Sequence, residues 1–264
     1  MDYLLMFLGG LLAVNLLVVP PVEQSILYLP SNDQYQMEGN FNHEDVFLKT
    51  TDGVAIHGWF VKNETSQKVI LYFHGNAGNL TYNVDQIKAL SAVPLSVFAI
   101  DYHGFGQSGG QPTEKNLYLD AQAAYDYLVK QKKYPPEQII IMGTSLGGAV
   151  ATHLAAREKV GGVILESTFT SVRDMAQRMS GAYRRPIVWI RSDFNSLDNI
   201  ALIDAPLLIV HSKEDKSVPC EMAQALYNKA KPPKKLLLLE KGEHSGLLLA
   251  NQEYLNEVKQ MTGK

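Results

Sequence analysis

The tightest constraint on this chain is a junction. Four apolar residues, Ile139-Ile140-Ile141-Met142, run into Gly143-Thr144-Ser145-Leu146-Gly147 and then at once into Gly148-Ala149-Val150-Ala151, small residues suited to a helix. A strand that becomes a helix in so few residues must turn so sharply that side chains at 143 and 147 would strike neighbouring backbone. Glycine is needed at both places, and the serine between them is pushed outward. The helix that follows also aims its positive dipole end and free N–H groups at whatever reacts there.

The rest of the chain supplies more units of the same kind. Val46–Lys49 and Val54–Val61 flank Asp52-Gly53, which predicts an opening hairpin. Val69–Phe73, Leu95–Ile100, Ile139–Met142, Gly162–Leu165, Pro206–Val210 and Lys235–Leu239 are apolar runs without polar alternation, the pattern of parallel strands covered on both faces. Between and after them, helices are predicted at Val84–Leu90, Glu114–Gln131, Gly147–Arg157, Glu221–Ala230 and from about Asn251 to Met261. A hairpin followed by repeated strand–helix units predicts an α/β domain, with a mostly parallel central sheet, helices on both faces and reactive groups at the carboxyl ends of its strands. The 264 residues are 46% hydrophobic and 19% charged, as in a globular protein. A net charge of −3 argues against nucleic acid as a partner. The single cysteine, Cys220, allows neither an intramolecular disulfide nor a cysteine-based zinc site.

The N-terminus departs from that average. No charged residue occurs from Tyr3 to Val22, and as a helix Tyr3–Val19 would span about 25 Å, enough for a short anchor in a bilayer core of about 30 Å. A cleaved signal segment is the first alternative, disfavoured because no Lys or Arg precedes the apolar run and no small-x-small cleavage site follows it. The second is a helix buried in the domain, which normally keeps a polar stripe. Residues 1–22 are therefore expected to be a single-pass N-terminal membrane anchor, and residues 23–264 one domain. The first basic residue is Lys49, so charge asymmetry does not set the side of the membrane.

A second literal match to the serine motif, Gly106-Gln107-Ser108-Gly109-Gly110, sits differently. It lies several residues beyond the strand ending near Tyr102, and Pro112-Thr113-Glu114 separates it from the next helix, so no tight elbow is expected. The same loop has the dinucleotide spacing Gly104-x-Gly106-x-x-Gly109, but its glycines open no helix at once and the next strand ends in Met142-Gly143 rather than an acid.

A serine hydroxyl is a weak nucleophile until a base takes its proton. Seven histidines compete. His244 follows the last apolar run in Gly242-Glu243-His244-Ser245-Gly246, where it can hang over the sheet's edge. His74 and His211 end strands, His57 lies in the hairpin, His103 in the Gly-rich loop, His153 in the elbow helix, and His43 before the domain. The base needs a carboxylate to hold its tautomer and stabilise the imidazolium. Asp215, in the loop after the penultimate strand, is preferred; Glu214 is adjacent and chemically equivalent, and Asp204 and Asp198 are remoter options.

The order Ser145, Asp215, His244, with the serine on a strand–elbow–helix, distinguishes the α/β-hydrolase fold from the chymotrypsin and subtilisin orders. From about Tyr28 onward, the chain resembles an α/β-hydrolase of the membrane-anchored, serine-aminopeptidase-like group that includes protein depalmitoylases and many bacterial esterases. The matching landmarks are Thr51-Asp52-Gly53, His57-Gly58-Trp59, Phe73-His74-Gly75-Asn76-Ala77-Gly78-Asn79, Asp101-Tyr102-His103-Gly104-Phe105-Gly106-Gln107-Ser108, the Ser145 elbow, Glu166-Ser167, Asp215 before Val218-Pro219, and Gly242-Glu243-His244. Two positions depart from that group: relatives usually carry arginine where His103 stands and glycine where Ser212 stands. The backbone N–H of Leu146, just after the nucleophile, is one expected oxyanion donor. The resemblance implies that the backbone N–H of Asn76 is the other.

Thr168 to Asp204 is 37 residues between two core strands, longer than a usual connection, and is expected to form a small lid inserted at 168–204. Met175, Met179, Tyr183 and Trp189 are its candidate substrate contacts, though methionines and aromatics at such positions more often serve packing. Its five arginines form either a rim for anionic groups or a solvated face. The reading that results is a serine hydrolase acting on carboxylic esters of short or medium acyl chains, without metal or organic cofactor. Its substrate is a small-molecule or lipid-like ester. The alternatives are an acyl-protein or lipid thioesterase, an aminopeptidase, and a non-catalytic interaction module of the same fold.

Overall fold

The computed structural model describes residues 24–33, 41–179 and 191–261. The expected anchor, residues 1–22, lies outside them, and among the described residues no helix is long and apolar enough to cross a membrane.

Eight strands form one twisted sheet. The hairpin comes first, β2 (Glu44–Lys49) and β3 (Ala55–Val61), joined by a turn in which Gly53 N–H bonds the Thr50 carbonyl. Then come β4 (Val69–Phe73), β6 (Ser96–Ile100), β7 (Ile139–Thr144), β8 (Gly162–Glu166), β9 (Leu207–Ser212) and β10 (Lys234–Leu239). The spatial order is β10-β9-β8-β7-β4-β6-β3-β2. Every pair from β10 to β6 is parallel, and β3 and β2 close one edge antiparallel. These are the predicted strands, with boundaries moved by at most a few residues.

The helices divide between the two faces as the strand pleat requires. Val69, Leu71 and Phe73 of β4 and Ile139 and Ile141 of β7 face one core. It is shared with α2 (Glu114–Asp126), α3 (Leu146–Ala155) and α6 (Cys220–Lys229). Ile70, Tyr72, Ile140 and Met142 face the other core, built with α1 (Val84–Ser91), α7 (Leu247–Ala250) and α8 (Gln252–Met261). Burial of each such side chain favours folding by about 1.5–3 kcal/mol, so the inner strands act as a rigid floor for the loops at their carboxyl ends. The predicted helix Glu114–Gln131 is α-helical to Asp126, starts at a Thr113 side chain that accepts the Asn116 N–H, and closes in a π turn over Tyr127–Gln131.

Two features were not anticipated. Residues Leu29–Pro30 (β1) pair in parallel with Ala77–Gly78 (β5), a two-residue ladder outside the main sheet. Within the expected lid, the described residues form two short helices, α4 (Val172–Met179) and α5 (Ser196–Ile200).

Candidate active site

β7 ends at Thr144 and α3 begins at Leu146, so Ser145 alone makes the turn, at φ 53° and ψ −115°. That conformation costs an L-residue roughly 1–3 kcal/mol and persists only where its surroundings hold it. Here Ser145 N–H donates to the Glu166 carbonyl at 2.9 Å, and its own carbonyl accepts from Thr168 Oγ1 at 2.8 Å and from Gly148 N–H at 3.0 Å. The steric argument for the flanking glycines holds: a Cβ on Gly143 would strike the Gly147 carbonyl, and one on Gly147 would strike those of Phe73 and His74.

The structure brings Ser145, His244 and Asp215 into one chain. His244 Nε2 lies 2.9 Å from Ser145 Oγ, and His244 Nδ1–H donates to Asp215 Oδ2 at 2.7 Å. That Nδ1 faces a carboxylate assigns it the proton and leaves Nε2 as acceptor for the serine hydroxyl. Of the other six histidines, His211 faces Asp215 from a second side, at 3.2 Å, and the rest are engaged elsewhere. His153 stacks on Tyr118 with ring centroids 3.4 Å apart, and His57 contacts Asp45 at 2.8 Å. Of the neighbouring acids, the structure sets Asp215 and not Glu214 against His244. Asp215 has a fully buried side chain, whereas Glu214 is exposed. Asp204 pairs with Lys231, and Asp198 lies in the first turn of α5.

Asp215 is held by more than His244. Its Oδ1 accepts the N–H groups of Ser217 and Val218 at 2.8 and 2.9 Å, and His211 Nε2 lies 3.2 Å from Oδ2 while also facing the Val218 carbonyl at 2.8 Å. Burial alone pushes this carboxyl up. The hydrogen bonds from His211 and His244 and the Val218 N–H outweigh burial and hold it well below the usual carboxylate range. Asp215 is therefore an anion wherever the protein is folded at ordinary pH. Ser212, one of the two departures, ties the acid loop to the base loop: its Oγ donates to the Gly242 carbonyl at 2.6 Å and accepts from Glu214 N–H at 3.1 Å. The other departure, His103, is buried between Asp120 at 2.5 Å and Asp52 at 3.3 Å.

The loop after β4 sits against the nucleophile: a Cβ on Gly75 would lie 3.8 Å from Ser145 Cβ. It carries Asn76. Leu146 is the first residue of α3, where a helix leaves its N–H without an intrahelical partner. Leu146 thus follows Ser145 directly, and Asn76 follows the glycine that the β4 loop sets against it. The loop is pinned from three directions. Tyr102 Oη donates to the His74 carbonyl at 2.8 Å, Asp101 Oδ1 accepts Leu80 N–H at 2.9 Å, and Asn79 Nδ2 donates to the carbonyls of Ser31 and Asp33, each at 2.8 Å. Asp101 also approaches His57 and His74, at 3.7 and 3.4 Å. Burial raises this carboxyl, and the two imidazoles more than reverse the effect, so it stays below its ordinary value.

Glu166 is a group to which the sequence assigned no role. It ends β8, next to Ser145, with no solvent exposure. Gln86 of α1 donates to its Oε2 at 3.2 Å. Burial pushes its carboxyl up to about 7, only partly opposed by Tyr254 and Gln86 and by the imidazoles of His244 and His211. A carboxylic acid half neutral near pH 7 therefore lies next to the chain of Ser145, His244 and Asp215.

The expected substrate contacts fare differently. Met175 lies in α4, packed against the core shared with α2 and α3. Met179 ends α4, its side chain lies outside the described residues, and so do Tyr183 and Trp189. A cavity of about 570 Å³ is lined by Tyr28, Glu114, Tyr118, Leu119 and Arg191 among others, and the triad is not part of its wall.

A mostly parallel sheet with a serine elbow after one strand, and an acid and a histidine after its last two, is the architecture of an α/β-hydrolase. A family model described as the alpha/beta hydrolase fold matches residues 68–187. The chain is 31% identical over 246 residues to the alpha/beta hydrolase domain-containing protein WAV2 of Arabidopsis thaliana, covering 84% of this chain and 80% of that protein. It is also 31% identical over 248 residues to YfhR of Escherichia coli K12, covering 91% of this chain and 86% of that protein. Among solved structures, the Pyrococcus furiosus esterase Pf2001 superimposes with a TM-score of 0.72 at 20% identity, covering 89% of this chain and 97% of that one. Acetyl xylan esterase 1 from Thermoanaerobacterium does so with a TM-score of 0.67 at 19% identity, covering 87% and 86%. The chain belongs to the α/β-hydrolase family.

Proposed function

We propose that this hydrolase is a membrane-tethered serine esterase, cleaving carboxylic esters of short or medium acyl chains through an acyl-enzyme. The observation that carries the reading is the continuous chain from Ser145 Oγ through His244 to Asp215, at 2.9 and 2.7 Å. Ser145 Oγ attacks the ester carbonyl as its proton passes to His244 Nε2. Asp215 holds the imidazolium that forms, and the N–H groups of Leu146 and Asn76 meet the oxyanion. Collapse of the tetrahedral species expels the alcohol, which takes the proton from His244. Water then enters, gives its proton to the same nitrogen, and releases the acid as Ser145 regains its hydrogen. The resemblance in fold to two esterases supports the choice of ester over amide.

The test pairs a substitution with a substrate series. Ser145→Ala in the purified full chain should abolish hydrolysis of p-nitrophenyl esters from acetate to octanoate; unchanged turnover would refute the mechanism. Matched acyl esters and thioesters should show higher kcat/KM for the ester. Equal or faster thioester turnover would favour an acyl-thioesterase instead.

A further inference from the structure

Six large hydrophobic side chains are strongly exposed among the described residues, and four of them come from segments bound to or following the loops that carry the triad and the oxyanion donors. Ile26 (65% exposed) and Leu29 (52%) lie on the strap that leads from the apolar N-terminal run into the domain. That strap is hydrogen-bonded onto the loop beside the nucleophile: Leu29 N–H donates to the Asn76 carbonyl at 2.8 Å, and Ser31 N–H to that of Gly78 at 3.0 Å. Tyr82 (52%) packs over Gly78 in the same loop, just before α1. Leu249 (54%) lies five residues after His244 in α7. The neighbouring Leu247 and Leu248 are buried against α1, which leaves Leu249 outward. The remaining two, Phe47 on the edge strand β2 and Leu202 after α5, lie elsewhere.

Apolar side chains left exposed on segments that adjoin one set of loops point to a surface that meets something apolar. The uncharged run Tyr3–Val22 ends two residues before Gln24, and Gln24 is five residues from the bond between Leu29 and Asn76. An apolar segment joined so closely to the oxyanion loop allows that end of the molecule little distance from whatever the segment enters. We propose that the face formed by Ile26, Leu29, Tyr82 and Leu249 docks on a phospholipid bilayer, so that the mouth over Ser145 opens onto the lipid surface and takes esters presented from it. The docking rests on the anchor reading, and its catalytic consequence on the serine-esterase reading. Apolar side chains seated at the headgroup boundary provide the attraction, and the charges close to them in sequence, Asp33, Asp85, Lys241 and Glu243, form no basic cluster for anionic lipid, so the proposal is for zwitterionic lipid.

The experiment uses the full chain, with Cys220→Ser, reconstituted in phosphatidylcholine vesicles. A bimane probe is placed by Leu249→Cys or, at the opposite end of the sheet, by Lys159→Cys, an exposed position before β8. Lipids carrying shallow nitroxides should quench the probe at 249 several-fold more than the probe at 159. Equal quenching, or protein that does not float with the vesicles, would overturn the proposal. In parallel, Ile26→Asp with Leu249→Asp should lower kcat/KM on an ester embedded in the vesicles by about tenfold and leave p-nitrophenyl butyrate turnover unchanged. Loss on both substrates, or on neither, would also overturn it. If the parent protein hydrolyses neither ester while the quenching contrast holds, the esterase reading fails and the docking stands.

Discussion

The chain contains Gly-x-Ser-x-Gly twice, both times at the carboxyl end of a parallel strand, and the two copies fold differently. Gly143–Gly147 lies directly between β7 and α3, and its serine sits at φ 53° with its hydroxyl 2.9 Å from His244. Gly106–Gly110 lies in a loop between β6 and α2, and its serine is a brace: Ser108 Oγ accepts His57 N–H and donates to the Asp101 carbonyl, both at 2.8 Å. The glycines differ in the same way. In the first copy Gly143 leaves room for the backbone that opens α3 and Gly147 for the backbone at the end of β4, whereas Gly106, at φ 53°, leaves room for the Asp101 carboxylate. The five-residue pattern alone carries no chemistry. What separates the copies is whether strand and helix abut it, which forces one serine outward and lets the other bond inward.

Four measurements sharpen that contrast, from the largest expected effect to the smallest. If the proposed mechanism holds, Ser145→Ala should lower kcat/KM on a soluble ester by about a millionfold without lowering the melting temperature, because it assigns the hydroxyl to the reaction and not to the core. Calorimetry beside the kinetics checks both halves. Asp215→Asn should cost about 10⁴-fold in kcat by freeing His244 to adopt the wrong tautomer, while Glu214→Gln changes it only a few-fold. Comparable losses in the two variants would reopen the choice of acid.

Glu166→Gln tests the buried acid. A carboxyl whose folded pKa is raised to about 7 from an ordinary 4.5 disfavours the folded state progressively as pH rises between those values. The variant should therefore gain stability over the parent from pH 5 to pH 8, by an amount on the order of 3 kcal/mol. Parallel stability curves would contradict the assignment. Ser108→Ala should do the reverse of Ser145→Ala: hydrolysis stays within a few-fold, and stability falls by about 1–2 kcal/mol through the loss of two inward hydrogen bonds. Thermal melts and initial rates on one preparation read both.

Much of this was legible in the sequence, for reasons that also explain the rest. The strands were visible because parallel strands covered on both faces leave runs such as Val69–Phe73 with no polar interruption. The elbow was visible because its steric demands fall on adjacent residues. Asp215 and His244 could be read from their positions after the last two strands, but the separation of Asp215 from Glu214 needed burial, which depends on how the loop turns at Ser217 and Val218. The supports were hidden for a related reason. Asp101 meets His57 and His74 across three strands, Glu166 meets Gln86 from a helix 80 positions away, and His211 serves Asp215 only because the loop folds back. The pairing of Leu29–Pro30 with Ala77–Gly78 is too short to leave a periodic trace.

The central claim is that one serine of the two is the nucleophile. The most direct measurement treats the purified full chain with a fluorophosphonate, digests it, and maps the adduct by mass spectrometry. The account predicts a single phosphonylated residue, Ser145, with labelling lost in Ser145→Ala and retained in Ser108→Ala. An adduct on Ser108, or no adduct on active protein, would contradict it.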